Sequence, residues 1–139
     1  MANTIHVDIV SAEGQIFSGE ATRVFAPGSQ GELGIYPRHA PLLTTLTAGE
    51  VRVETEGQEE QSFFVGGGAM EIQPHLVTVL ADTAVRAKDL DEAAALAAKQ
   101  RAEDAVRNRS DKLDIAEAQV ELVRALAQLR AIARLRKKH

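Results

Sequence analysis

The chain reads as a β + α protein: an N-terminal ten-stranded antiparallel β-sandwich followed by a C-terminal antiparallel two-helix hairpin. Three observations lead there. Residues 1–87 alternate apolar and polar side chains with period two and are punctuated by frequent turn signals. From residue 88 onward the apolar period becomes helical. The charge changes with it: residues 1–87 carry 4 Lys/Arg against 11 Asp/Glu, whereas residues 88–139 carry 12 against 9, so the net values are −7 and +3. The domain reading is therefore 1–87 for the sandwich and 88–139 for the hairpin.

Taking the elements in order, "TIHVDIV" sets Ile5, Val7 and Ile9 on one face and His6 and Asp8 on the other, the signature of a half-buried strand. "EVRVETEGQEEQSFFV" holds two strands around Glu56-Gly57, with Val51 and Val53 alternating against Arg52 and Glu54. Turn signals recur at Glu13-Gly14, Ser18-Gly19, Pro27-Gly28, Ala48-Gly49, Gly66-Gly67-Gly68 and Gln73-Pro74. Many short antiparallel strands with such spacing predict about ten strands in two sheets. The glycine run in "VGGGAM" lacks the Lys-Ser/Thr of a phosphate loop, so it is expected as a bulge or tight crossing.

Asp89, followed three residues later by Glu92, matches a capping box and predicts a helix start. The Ala-rich run "AAALAAKQRAEDAV" favours helix and lets a second helix come close. "RNRSD" interrupts the pattern, and a second helix is expected from Asp111 or Asp114. Its apolar stripe is Ile115, Ala118, Leu122, Ala125, Leu126, Leu129 and Ile132. On the far side lie Arg124, Arg130, Arg134 and Lys138, interleaved with Val120, Val123 and Ala127. That basic arc is either a solvated side with cations well placed for the helix dipole or a second binding face.

The composition excludes several chemistries. Without Cys there is no disulfide framework, thiolate nucleophile or sulfur-based zinc site. The start "MANTIHVDIV" has no secretory pattern and no apolar run is long enough to span a bilayer, so a soluble, unsecreted chain is expected. His6, His39, His75 and His139 never stand at metal-ligand spacing, so no metal site is expected. Aromatic residues make up 4% of the chain and the sandwich is acidic, which disfavours nucleic acid. "GELGIYPRHAPLL" offers Glu32, Tyr36, Arg38 and His39, but Pro37 and Pro41 bracket the His in a stiff extended segment and no nucleophile stands nearby. An active site is the weaker reading and a contact loop the better one.

"GELGIYPRHAPLL", "GGGAMEIQPHLVTVLADTA" and "DLDEA" together resemble the epsilon subunit family of bacterial F-type ATP synthases, over nearly the whole chain and in the same order. The resemblance implies a sandwich of two five-stranded sheets at the foot of the central stalk. There it would bind the gamma subunit and the membrane c-ring, with a helical hairpin that regulates the enzyme. It further implies a non-catalytic rotor component of a proton-translocating complex, peripheral on the cytoplasmic side of the bacterial membrane and membrane-associated only through that complex. By position, Gly31, Glu32, Leu33, Gly34 and Ile35 match the family's c-ring contact, and Ser11 and His39 match its gamma contact. Arg124, Arg130 and Arg134 fall on the helix that, when extended, meets the beta and alpha subunits and blocks ATP hydrolysis.

Some relatives bind ATP through an Ile/Leu-Asp-x-x-Arg-Ala motif, which here reads Leu90-Asp91-Glu92-Ala93-Ala94-Ala95. Asp91 and Arg124 remain, but Ala94 replaces an Arg, Gln128 stands where a second Arg is expected and Val85 where a Glu is expected. Each missing charge-assisted bond is worth about 1.5 to 3 kcal/mol, so weak or no ATP binding is expected and no cofactor. The alternatives are a free-standing nucleotide-sensing sandwich or a small enzyme using Arg38 and His39.

Overall fold

A computed structural model describes residues 3–108 and 112–138. The chain forms two compact units, Met1–Arg86 and Ala87–His139.

The first unit contains eight strands: β1 (Ile5–Ser11), β2 (Gly14–Ala21), β3 (Arg23–Gly28), β4 (Gly31–Ile35), β5 (Leu42–Glu54), β6 (Gln61–Gln73), β7 (Leu76–Ala81) and β8 (Ala84–Arg86). The expected ten strands become eight because two turn signals do not end a strand. β5 and β6 are each 13 residues long and stay in one antiparallel register from Leu42↔Ile72 to Val53↔Gln61. Ala48-Gly49 and Gly66–Gly68 lie in the middle of that ladder, where Gly67 and Gly68 have φ of 108° and 136°. These are values that glycine adopts without the steric cost a Cβ brings.

The two halves of each long strand have different neighbours. The Gly68–Gln73 half of β6 pairs with β7, and β7 leads on to β1 and β2. The Phe63–Val65 half pairs with β8, while the Arg52–Glu54 half of β5 pairs with β3, which leads to β4. Counted by halves, the sheet is two five-stranded layers joined through β5 and β6. Between them lies the core of Ile5, Val7, Ile9, Val24, Ile35, Val51, Val53, Phe63, Val65, Met70, Ile72, Val77 and Val79, all inaccessible to solvent. An all-antiparallel sheet was expected, but β1 and β7 run parallel, His6 beside Leu76 and Val10 beside Leu80. Alternation cannot reveal this, since parallel and antiparallel strands buried on one face share it.

In the second unit a 3₁₀ turn, Ala87–Asp89, precedes α1 (Glu92–Asn108) and α2 (Lys112–Lys138). The cap is Asp91 rather than Asp89: its Oδ1 accepts from the Ala94 amide at 3.2 Å and its carbonyl from the Ala95 amide at 3.0 Å. Asp89 instead ends the 3₁₀ turn, so the capping-box spacing was right about a helix and two residues early about its start. α1 continues through Arg107 and Asn108, and Asp111, the earlier candidate start of α2, lies outside the described residues. Asp114 sits inside the first turn of α2.

The helices run antiparallel, with Arg136 near the end of α2 hydrogen-bonded and ion-paired to Glu92 at the start of α1. Ala95 and Ala102 on α1, and Ala118 and Ala125 on α2, are buried at seven-residue spacing, the recurrence of small residues on one helix face.

Candidate docking interface

The segment Gly31–Ile35 is an edge strand, where a loop was expected. Gly28 and Gly31 close a two-residue connection, Ser29-Gln30, between β3 and β4. Gly31 has φ of 127°, and a Cβ on Gly28 would stand 2.7 Å from the Gly31 carbonyl oxygen, so both positions require glycine. The hairpin tip is pinned to β5: the Ser29 amide donates to the Thr45 carbonyl at 3.0 Å, and the Thr45 hydroxyl donates to Ser29 Oγ at 2.7 Å.

Along β4 the side chains separate by role. Gly31, Glu32 and Gly34 are exposed and Leu33 is half-buried against the core. Ile35 is wholly buried in the core, so its side chain anchors the strand and does not reach a partner surface. Glu32 accepts from Arg52 Nη2 at 2.9 Å, and the Arg52 guanidinium lies 4.6 Å from the Phe25 ring centre and 4.0 Å from Glu60. The carboxylate is therefore presented on a braced base.

Ser11 and His39 are not neighbours. Ser11 ends β1, its Oγ accepting from the Glu13 amide at 3.3 Å. His39 lies past the far end of that layer: the β1 end at His6 is bonded to the His75 carbonyl, and Arg38 to the adjoining Pro74 carbonyl at 2.9 Å. A surface containing both residues must run the length of β1. The outer face of the layer between them carries Leu43, Thr45, Ala69, Glu71, Thr78, Leu80 and Val10 by strand register. Leu43 is 73% and Leu80 55% exposed, an apolar contribution that residue-by-residue reading missed. Both leucines stand in strand-like runs, "HLVTVLA" and "PLLTTL", and it is the register that assigns them to the outward phase.

The His39 ring is bonded through Nδ1 to the Ala40 carbonyl at 2.7 Å, and Arg38 stands in the left-handed region at φ 68°. Among the described residues no group of three or more His, Cys, Asp or Glu could hold a metal ion, and no helix is long and apolar enough to cross a membrane.

On α2, Arg130 is exposed while Arg124 and Arg134 are half-buried, and Arg124 Nε is buried without a hydrogen-bond partner among the described residues. The side chain of Lys138 lies outside the described residues. Two assignments change. Leu126, expected in the apolar stripe, is 36% exposed, and Ala127, expected on the basic arc, is buried together with Ala131. The solvent side of α2 thus carries Val120, Val123, Leu126 and Arg130. Asp91 is committed to capping α1.

Comparison with known proteins agrees with this architecture. Residues 4–87 match the family model described as ATP synthase, Delta/Epsilon chain, beta-sandwich domain, and residues 88–136 the long alpha-helix domain of the same chain. The ATP synthase epsilon chain of Nitrosococcus oceani is 62% identical, covering 99% of both chains. Epsilon chain 1 of Methylococcus capsulatus is 60% identical over 99% of this chain and 98% of its own. Among solved structures, a chain of the Euglena gracilis mitochondrial ATP synthase shares the fold, with a TM-score of 0.85 at 17% identity, over 94% of this chain and 82% of that one. Matched over both domains and at full length, the chain belongs to the ATP synthase delta/epsilon family, as an epsilon-type subunit that is not itself catalytic.

Proposed function

We propose that the sandwich docks between the gamma subunit and the c-ring, and that the helical hairpin restrains ATP hydrolysis. The observation that carries the docking half is the outer face of the layer β2-β1-β7-β6-β5, where Leu43 and Leu80 lie open to solvent between Ser11 and His39. Such a face, apolar at its centre and polar at its edges, suits a large permanent contact with gamma. The braced β3–β4 tip, with Gly31, Glu32 and Gly34 outward, suits the c-ring contact, since torque requires a shape that does not yield.

For the hairpin, six Lys/Arg face a single acid, Glu121, in the final twenty residues. Val120, Val123 and Leu126 beside Arg130 offer an amphipathic surface to acidic segments of the beta and alpha subunits. The same reading places the chain on the cytoplasmic side of a bacterial membrane, in a proton-coupled enzyme. ATP binding is weak or absent, because Asp91 caps α1 and Ala94, Gln128 and Val85 supply no charge. Two experiments test the proposal. Removing residues 112–139 from the assembled enzyme should raise ATP hydrolysis without loss of assembly, and equal rates with and without them contradict the inhibitory role. Calorimetric titration with ATP should give no micromolar binding.

A further inference from the structure

We infer that His6, clamped by Glu20, Asp8 and Ser18 on the outer face of the sandwich, is a proton-operated latch that holds the edge strand β2 onto β1. Both ring nitrogens are engaged. Nδ1 lies 2.6 Å from Glu20 Oε2 on β2, and Nε2 lies 2.9 Å from Asp8 Oδ1 and 3.1 Å from Ser18 Oγ. The Ser18 hydroxyl donates to Asp8 Oδ1 at 2.7 Å, and the Thr4 hydroxyl donates to Glu20 Oε1 at 3.0 Å. Only the imidazolium can donate from both nitrogens at once, so the geometry is complete only when His6 is charged.

β2 needs such a tie. It ends the sheet and has one neighbour, β1, with a register shift at Ile9/Val10. Of its eight residues only Ala21 is fully buried, with Ile16 and Phe17 partly packed on the core. An edge strand with so little apolar burial opens at a low free energy, where a polar contact matters most.

The groups facing His6 are Glu20 from β2 and Asp8 from its own strand; β7 presents Leu76 and Thr78 beside it, neither ionisable. The hydrogen bond to Glu20 raises the His6 pKa above its usual 6.5, with Asp8 adding to it against some burial. The hydrogen bond from Ser18 lowers Asp8 and that from His6 lowers Glu20. The signs give a window. The histidine contribution is complete below its ordinary pKa and is lost as pH rises through the raised value. The carboxylate contributions are present above their ordinary values and are lost as pH falls through the depressed ones. The latch is closed below the ordinary histidine pKa and releases as pH rises through the raised value.

The test is an NMR titration of the full chain with amide exchange measured along β2. His6 should titrate above 6.5. Protection of β2 amides, corrected for intrinsic exchange and referred to β6, should fall about two- to fivefold between about pH 6 and about pH 8.5, the scale of an exposed ion pair. Glu20→Gln should lower the His6 pKa and remove most of that fall, and His6→Gln should flatten it. His6 titrating at or below 6.5, or an equal fall in wild type and Glu20→Gln, overturns the latch. If Glu20→Gln does not fold, the wild-type titration and exchange profile decide alone.

Discussion

Glu32 is the outward charge of the β3–β4 tip, and its exposed pair with Arg52 contributes at most about 1 kcal/mol to folding. Glu32→Lys should therefore leave the melting temperature within a few degrees of wild type while weakening the link between ATP turnover and ion pumping. Pumping per ATP in inverted vesicles reads the second effect, and unchanged coupling would remove Glu32 from the c-ring contact. Arg38 gives a cleaner energetic test at the same scale. At φ 68° a side chain is disfavoured, so Arg38→Gly should be neutral or stabilising by up to about 1 kcal/mol, whereas Arg38→Val should cost about 1 to 2 kcal/mol. Denaturant melts of the pair separate these outcomes, and a destabilising Gly would show that the Arg38 side chain holds a contact worth more than its backbone strain. Glu32 stood out in the sequence through its distinctive run, and the structure presents it, exposed, on an edge strand where a loop was expected. The outward leucines did not stand out, since Leu43 and Leu80 look like core residues until register assigns their phase.

At the scale of elements, β5 and β6 carry the sandwich from one layer to the other, and Gly68 is the tightest point of that crossing. A Cβ there would stand 2.1 Å from the Leu80 carbonyl oxygen and 2.9 Å from Ala81 Cα, at φ 136°. Gly68→Ala should cost about 3 kcal/mol or more, through strain and overpacking together, whereas Gly14→Ala, with open space around its Cβ, should cost only backbone strain. Comparable midpoints in urea would show that the crossing is not rigid. The run at Gly66–Gly68 was expected as a bulge or tight crossing and lies inside β6 with Gly67 and Gly68 at positive φ, whereas Ala48-Gly49, expected as a turn, lies inside β5. The helical hairpin was legible for a different reason: two long periodic segments survive a misplaced cap. What failed there was the choice of buried residues. Ala118 and Ala125 of the expected stripe are buried, but so are Ala127 and Ala131 from outside it, while Leu126 of the stripe is open to solvent.

For the whole molecule, the proposed function divides docking from regulation between an acidic sandwich and a basic hairpin. Replacing Arg124, Arg130 and Arg134 together by Ala should reproduce part of the activation produced by removing α2, since Ala preserves helix propensity while deleting three charges. The effect should shrink in high salt, because exposed charges are screened over roughly 8 Å at physiological ionic strength. Equal activation at all salt concentrations would assign the restraint to the apolar residues Val120, Val123 and Leu126 instead. The central claim is that the outer face around Leu43 and Leu80 joins the chain to the synthase. Its most direct measurement is recovery of an affinity-tagged chain from native membranes, comparing wild type with the Leu43→Glu, Leu80→Glu double variant, both checked for fold by circular dichroism. The wild-type chain should return with alpha, beta, gamma and c subunits, and the folded double variant should return alone. Recovery of wild type without those subunits, or of the variant with all of them, would contradict the account.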